Sequence, residues 1–113
     1  MARKKADGGS VSVVDSDQSR RLDDGYPGMY HVVLHNDDYT PMDFVVNVVM
    51  QVFEDYRGDR RKAAKFVWSV QRAGKGVAGT YVKSIAEMKA NVVRKIAETV
   101  NYPLKCSVEK AGG

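Results

Sequence analysis

The feature that most constrains the fold is a polar turn followed at once by an apolar run with helical spacing. Residues 36–38 read Asn-Asp-Asp, and short polar side chains of this kind favour turns. Thr40 can cap a helix, Pro41 suits the first helical position, and Asp43 lies where a capping-box acid would lie. The apolar residues that follow at helical spacing are Phe44, Val45, Val48, Val49, Val52, Phe53 and Tyr56. A helix with such a stripe needs other elements to pack against.

Two further helices are predicted downstream. The second is expected over residues 60–72, after a stop at Gly58 and a cap at Asp59, with an apolar stripe of Ala63, Phe66, Val67 and Val70. Trp68 stands beside this stripe and is expected to be partly buried. The third begins at a second capping box, residues 84–87, and its predicted apolar face is Ile85, Met88, Val92, Ile96 and Val100.

Three short segments predict β-strands. They are residues 30–34, 77–82 and 104–108, which are rich in aromatic or β-branched side chains or are bounded by turn residues. The resulting order is β-α-α-β-α-β. It predicts an α+β fold in which a small three-stranded antiparallel sheet packs on three helices.

The chain divides into a tail and a core domain. Residues 1–29 are polar and mixed in charge, and we expect a flexible N-terminal extension there. Residues 30–113 hold the predicted elements and are long enough for one core. Cys106 is the only cysteine, so no internal disulfide can form. With no membrane span and no secretory signal in the sequence, we expect a cytoplasmic protein and no membrane partner.

Charge, motifs and residue spacing give little support for an enzyme. The net charge of +4 lies in residues 30–113, and it is a weak indication of nucleic-acid binding because no long basic run occurs. The G-x-G-x-x-G spelling at residues 74–79 follows a helix and opens a strand, the reverse of a dinucleotide site. His31, His35 and Cys106 do not have the spacing of a metal site. We therefore expect no catalytic residues, no metal and no cofactor.

The segment at residues 36–43 is the most informative for function. A capped turn would explain Thr40, Pro41 and Asp43 but does not require three consecutive Asn or Asp residues upstream. Two carboxylates and an amide beside an apolar helix face can accept donor protons and balance a positive charge. A free N-terminal ammonium has this chemistry.

A family resemblance follows from longer runs of sequence. The run YHVVLHNDDYTPMDFVV at residues 30–46, with its unbroken NDDYTPM core, resembles the signature of the ClpS family. Residues 74–81, 85–89 and 102–106 are similar to that family's turn into its second strand, its third-helix start and its last strand. The match covers about residues 30–110, with every segment in the family's order.

The resemblance implies an adaptor rather than an enzyme. ClpS proteins bind N-terminal Leu, Phe, Tyr or Trp, the bulky N-degrons, and deliver the bearer to a Clp AAA+ unfoldase and its peptidase. Their fold resembles the C-terminal domain of the ribosomal stalk protein. The implied partners are N-degron-bearing proteins and the unfoldase's N-terminal domain, and the implied state is a monomer whose N-terminal extension takes part in delivery.

The resemblance also implies roles for individual residues. The ammonium and first peptide group would be bound by Asn36, Asp37, Asp38 and Gln71. The side-chain pocket would be lined by Leu34, His35, Thr40, Met42, Val45, Val67, Val70 and Leu104, with Met42 as a gatekeeper at the mouth. Contacts to the unfoldase would come from Ser84, Glu87 and Lys89.

Four departures from the family pattern bear on specificity. Gln71 stands where the family usually has His, Val67 where it usually has Met, and Ser84 where an acidic residue is common. The connection between the first two helices, around residues 56–61, is about three residues longer. Altered specificity is favoured over lost binding because the NDDYTPM core is complete. A small basic module that binds nucleic acid or the ribosome remains the alternative.

Overall fold

A computed structural model describes residues 28–112 and contains three helices and one three-stranded sheet. In chain order the elements are β1 (Met29–His35), α1 (Met42–Val52), a 3-10 turn (Glu54–Tyr56), α2 (Arg60–Ala73), β2 (Lys75–Val82), α3 (Lys83–Thr99) and β3 (Lys105–Lys110). The strand order is β2-β1-β3, and both pairs are antiparallel. The predicted α+β class and the β-α-α-β-α-β order are confirmed. The expected extension lies outside the described residues except for Gly28 and Met29.

The central strand β1 aligns the two edge strands. Leu34 pairs with Gly76 of β2 on one side and with Cys106 of β3 on the other. The register with β2 shifts between Val32 and Val33, which indicates a bulge there. Because β1 is bonded along both edges, the residues that follow it start from a fixed position.

The core lies between the sheet and the helices and consists mainly of valine and alanine. Helix α3 contacts all three strands, and α1 packs against α2 and α3. Helix α1 contributes the buried valines Val45, Val46, Val48, Val49 and Val52. β-Branched residues are weak helix formers, so tertiary packing rather than propensity stabilises this helix. Phe53, fully buried, is the largest side chain of the core.

The start of α1 differs from the prediction in which residue caps it. The helix begins at Met42 with Pro41 as N-cap, and no side chain caps it. The Asp37 carboxylate instead accepts hydrogen bonds from the backbone N–H of Tyr39 and from both the N–H and the hydroxyl of Thr40. Thr40 is thus a donor to the preceding turn, and the prediction that it caps the helix is wrong.

The end of α1 also differs. The helical pattern was expected to continue to Tyr56, but the helix stops at Val52. Phe53 adopts an extended conformation, with φ −110° and ψ 122°, and a 3-10 turn follows at Glu54–Tyr56. The break lets Phe53 enter the core, and the Tyr56 ring then stacks on Phe66 of α2 at 5.2 Å between centroids.

Helix α2 forms as its sequence predicts. The Asp59 carboxylate accepts from the N–H of Lys62 at 3.0 Å, and Gly74 ends the helix in the left-handed region with φ 94°. The Gly-rich segment then forms β2. A Cβ on Gly76 would lie 2.8 Å from a methyl carbon of Val70, so glycine lets the strand approach this helix.

Helix α3 departs most from its prediction. It begins at Lys83 without a side-chain cap, so Ser84 lies inside the helix and the predicted capping box does not form. The buried residues are Ala86, Lys89, Ala90, Val93 and Ala97. The predicted apolar face is largely exposed, with Ile85 at 38%, Met88 at 50%, Val92 at 40% and Val100 at 47%. The helix lies on the sheet through its small side chains, whereas the stripe of larger ones is rotated toward solvent.

Candidate functional site

A cleft that is partly open to solvent lies between the C-terminal end of β1, the N-terminal part of α1 and the second half of α2. The residues that line it are Leu34, His35, Asn36, Asp37, Thr40, Val45, Val67, Val70, Gln71 and Leu104. All ten of these described residues belong to the set that the family resemblance assigned to a ligand site.

The cleft has an apolar interior and a polar edge. Leu34, Val67 and Val70 are at most 4% exposed, so the interior walls are held by core packing. Asn36 is exposed and Gln71 half-buried. A ligand with an apolar side chain and a polar head fits this division.

The turn after β1 is fixed by backbone and side-chain hydrogen bonds. The N–H of Asn36 donates to the carbonyl of Gly74 at 2.9 Å, which ties the turn to the end of α2. Asp37 Oδ1 accepts from the N–H groups of Tyr39 and Thr40, at 2.8 and 2.7 Å. Its other oxygen accepts from the Thr40 hydroxyl at 2.9 Å. The Asn36 amide makes no side-chain hydrogen bond to any other residue between 28 and 112, so it is available to a ligand.

The charge state of Asp37 follows from these contacts. Partial burial raises the pKa of its carboxyl, but hydrogen bonds from the N–H of Thr40, the N–H of Tyr39 and the Thr40 hydroxyl outweigh that effect and lower it. Asp37 is therefore an anion at neutral pH, and its main role is to stabilise the turn. A carboxylate can accept about four hydrogen bonds, so Asp37 keeps some capacity for a ligand.

His35 forms part of the cleft wall and is linked to β3. Its Nε2 lies 2.7 Å from the Ser107 hydroxyl oxygen. Burial, followed by repulsion from Lys105 and Lys75, lowers the pKa of the imidazole despite an opposing effect of Glu109. The neutral ring is thus favoured near neutral pH, which leaves the cleft without a cation of its own at this position.

Two of the twelve residues assigned to the ligand site do not line the cleft. Asp38 is exposed in the turn, and Met42 is half-buried at the first position of α1, packed against the core. The structure thus brings ten of the twelve together, and the roles of all twelve in binding remain predictions. Gln71 and Val67, where the sequence departs from the family pattern, are both among the ten.

The three residues assigned to a partner contact are in different environments. Ser84 and Glu87 are exposed on α3, whereas Lys89 is only 8% exposed. The Lys89 ammonium donates to the Val52 carbonyl at 2.7 Å and to Glu54 Oε2 at 2.6 Å. The ammonium is therefore bound by groups of the same chain, and burial leaves Lys89 little surface for a partner.

The contacts of Lys89 involve two residues that the sequence reasoning missed, Glu54 and Tyr81. The Tyr81 hydroxyl donates to Glu54 Oε1 at 3.0 Å, and the Lys89 ammonium lies 5.4 Å from the Tyr81 ring centroid. Partial burial raises the pKa of Glu54, but hydrogen bonds from Lys89 and other groups outweigh it and lower the pKa. Glu54 lies 27 positions from Tyr81 and 35 positions from Lys89 along the chain, and no local pattern links it to them.

The single cysteine is not at the edge of the cleft. Cys106 is a buried thiol on β3, and burial raises its pKa to about 11, with a smaller opposing effect of Arg94. A protonated, buried thiol is a poor nucleophile. Within residues 28–112 no group of three or more His, Cys, Asp or Glu side chains could hold a metal, and no helix there is long and apolar enough to cross a membrane.

Comparison with known proteins gives a consistent result. A family model described as "ATP-dependent Clp protease adaptor protein ClpS" matches residues 26–107. The ATP-dependent Clp protease adapter protein ClpS of Desulforapulum autotrophicum is 44% identical over 87 residues, 77% of this chain and 81% of its own. The protein of the same name from Cupriavidus metallidurans is 46% identical over 85 residues, 75% of this chain and 76% of its own.

A solved structure agrees with the fold. The structure of Agrobacterium tumefaciens ClpS2 bound to L-phenylalaninamide matches with a TM-score of 0.69 and 31% sequence identity, over 74% of this chain and 98% of that one. The fold is thus a small α+β domain with a cleft at the end of its central strand. The family match covers most of the chain, and the protein belongs to the ClpS family of Clp protease adaptors.

Proposed function

We propose that this protein binds the N-terminal residue of other proteins in the cleft and delivers those proteins to a Clp AAA+ unfoldase and its peptidase. The observation that carries the proposal is the apolar cleft whose edge is formed by Asn36 and Gln71. L-Phenylalaninamide, the ligand bound by the Agrobacterium relative, combines a free amine with an aromatic side chain, the two features that such a cleft accommodates.

In this proposal the interior and the edge of the cleft have separate roles. The interior takes the first side chain, and full burial of a Phe or Leu side chain is worth about 1.5–3 kcal/mol. Asn36, Asp38 and Gln71 accept hydrogen bonds from the ammonium and bind the first peptide group, while Asp37 holds the turn and adds negative charge. Met42 closes the mouth, where a flexible thioether can adapt to different side chains.

The departures at Val67 and Gln71 support altered specificity. Both side chains line the cleft, so both substitutions change a surface that a ligand touches. Val is shorter than Met, and Gln retains an acceptor oxygen without the titration of a histidine. Because the NDDYTPM core is complete, binding is retained in this proposal, with a different ranking of N-terminal residues.

Delivery requires a second surface. The exposed Ser84 and Glu87 at the start of α3 are the residues that we assign to the contact with the unfoldase's N-terminal domain. Lys89 supports this surface indirectly, through its contacts with Val52 and Glu54. The protein acts as a cytoplasmic monomer, and residues 1–29 take part in delivery.

The test is a binding titration with peptides that begin with Phe or Leu, compared with the same peptides acetylated at the N-terminus. The free amines should bind and the acetylated forms should not. Equal binding of both forms, or of neither, contradicts the proposal.

The Asn36→Ala variant tests the ammonium site directly. Loss of a hydrogen bond to a charged group should weaken binding of the Phe peptide by about 1.5–3 kcal/mol. Asn91→Ala on α3 is the matched control, since Asn91 is exposed and contacts Arg94 rather than the cleft. Unchanged affinity of a folded Asn36→Ala protein would show that Asn36 does not hold the ammonium.

A further inference from the structure

The outward side of α2 carries three cations and the only tryptophan of the chain in one stripe. Arg61, Lys65, Trp68 and Arg72 are four, three and four positions apart, so they follow one side of the helix. All four are exposed, and Trp68 leaves 53% of its surface in solvent. The sequence of α2, RRKAAKFVWSVQRA, contains no acidic residue. These four residues are named the cationic stripe.

The cationic stripe has no partner in the described fold. The other two cations of α2 do have partners, because Arg60 donates to the Asn47 amide oxygen at 2.7 Å and Lys62 lies over the Tyr56 ring. Between residues 28 and 112, by contrast, no side chain of the stripe makes a salt bridge or a side-chain hydrogen bond.

Two members of the stripe are also unfavourable for the fold taken alone. Arg61 lies in the first turn of α2, where a positive charge opposes the helix dipole. Trp68 is exposed, so it lacks the stabilisation that burial gives to a large aromatic side chain. Exposed cations and an exposed indole together are suited to an acidic polypeptide that also offers apolar groups.

The stripe is continuous with the cleft. Val67, Val70 and Gln71 line the cleft, Trp68 is adjacent to Val67 in sequence, and it lies one turn before Gln71. Residues three apart on a helix have Cβ atoms about 5–6 Å from each other. A polypeptide whose first residue occupies the cleft can therefore pass over Gln71 onto the stripe.

The two sides of the cleft differ in charge. On one side is the turn that holds the Asp37 and Asp38 carboxylates, of which only Asp37 lines the cleft, and on the other is the basic helix α2. A ligand that is positive at its N-terminus and negative a few residues later matches this arrangement.

We propose that the cationic stripe binds acidic residues that follow the N-terminal residue of a bound protein. This inference rests on the proposed function and narrows its substrate class. From Arg72 to Arg61 the stripe spans roughly 16 Å, at about 1.5 Å per helical residue. That length accommodates roughly five extended residues, so the acidic residues lie at about positions three to seven of the bound chain. Trp68 packs on apolar groups between them.

Three ligands separate the stripe from the cleft. L-Phenylalaninamide reaches only the cleft. A ten-residue peptide that starts Phe-Ala and continues with Glu and Asp reaches both, and its counterpart with Gln and Asn removes the charge. At low ionic strength the acidic peptide should bind more tightly than the neutral one, and the difference should decline as salt is added. The fluorescence of Trp68 should change more with the acidic peptide than with L-phenylalaninamide.

Charge-reversal variants test whether the preference for the acidic peptide comes from the stripe. Exposed ion pairs contribute up to about fivefold each, so Arg61→Glu/Lys65→Glu should weaken binding of the acidic peptide by roughly tenfold. Binding of L-phenylalaninamide should not change. Lys95→Glu/Lys110→Glu, at two exposed sites on α3 and β3, changes the net charge equally and should leave the preference for the acidic peptide intact.

Each contrary result is distinct. Equal affinities for the acidic and neutral peptides, or an equal loss in both double variants, would overturn the inference while leaving cleft binding intact. So would an unchanged peptide preference in Arg61→Glu/Lys65→Glu accompanied by loss of binding to a single-stranded oligonucleotide, which would assign the stripe to nucleic acid. If L-phenylalaninamide and both peptides all fail to bind, the proposed function itself is wrong and the inference falls with it.

Discussion

At the residue scale, Val67 is the side chain most directly tied to the choice of ligand. It is 2% exposed and lines the cleft at a position where the family usually has the longer Met. Space of one methylene that a ligand fills is worth about 0.8 kcal/mol, and relief of a clash with a branched side chain adds to it. Peptides that begin with Ile or Val should therefore bind measurably.

The measurement compares Leu, Ile and Val peptides on the native protein and on Val67→Met. The variant should shift the preference toward Leu, because the longer side chain fills the added space. Val46→Met is a control within the core, since Val46 is buried but does not line the cleft. An unchanged Leu-to-Ile preference in Val67→Met would mean that Val67 does not touch the ligand.

We expect Gln71 to determine how binding depends on pH, since it lines the cleft. An imidazole at this position would titrate near pH 6.5 and repel the ligand's ammonium once protonated, whereas Gln stays neutral. Affinity for a Phe peptide should therefore be flatter between about pH 5.5 and 7.5 in the native protein than in Gln71→His. His35, the histidine that lines the cleft in the native protein, has a lowered pKa and so contributes little over the upper part of this range.

The direction in which affinity changes with pH tests this prediction. As the pH falls, the Gln71→His variant should lose affinity first. A native protein whose affinity falls more steeply than the variant's would show that another titrating group dominates the cleft.

At the element scale, one face of α3 packs against the core and another is exposed to solvent. Ala90 is fully buried, whereas Val92, two positions further on, is 40% exposed. Ala90→Leu should lower the free energy of unfolding by about 1–3 kcal/mol, because the core has no room for the added atoms. Val92→Leu introduces the same side chain at the exposed face and should change it by less than about 0.5 kcal/mol.

Urea unfolding of both variants measures the difference. The sequence pattern alone predicts the opposite ranking, with Val92 in the core. If Val92→Leu is the more disruptive of the two, the orientation of α3 on the sheet is other than described.

The same helix shows which elements a sequence can predict. Strands, helix order and the α2 cap at Asp59 follow from local signals, and these were predicted. The face of α3 was not, because its apolar residues form a small stripe and a large one, and periodicity does not say which meets the sheet. The cleft residues came from a family resemblance over a long run of sequence. The Glu54–Lys89 contact joins positions 35 apart and gives no local signal.

At the scale of the whole molecule, the described residues 28–112 form a buried core among themselves. The buried cluster is drawn from residues 32–106, and β1 begins at Met29. A chain that lacks residues 1–25 should therefore fold and bind Phe peptides normally. It should fail to accelerate degradation of a Phe-tagged protein by the unfoldase and peptidase, because the extension is the part expected to take part in delivery.

A chain with residues 1–25 in shuffled order is the matched control, since it keeps length and charge. Activity in the shuffled chain but not in the truncated one would assign the extension a role as a tether. Full delivery by the truncated chain would contradict any role for it.

The position of the cleft on β1 has a mechanical consequence. Asn36 follows the central strand directly, and β1 is hydrogen-bonded to β2 on one edge and to β3 on the other. A force that draws a bound chain out of the cleft acts on this turn and is directed into both ladders at once, so many hydrogen bonds share the load in shear. In the proposed complex the ligand would be held by one side chain and one ammonium only. We therefore expect a bound chain under tension to leave the cleft before β1 separates from its neighbours, so that the adaptor stays folded after each release.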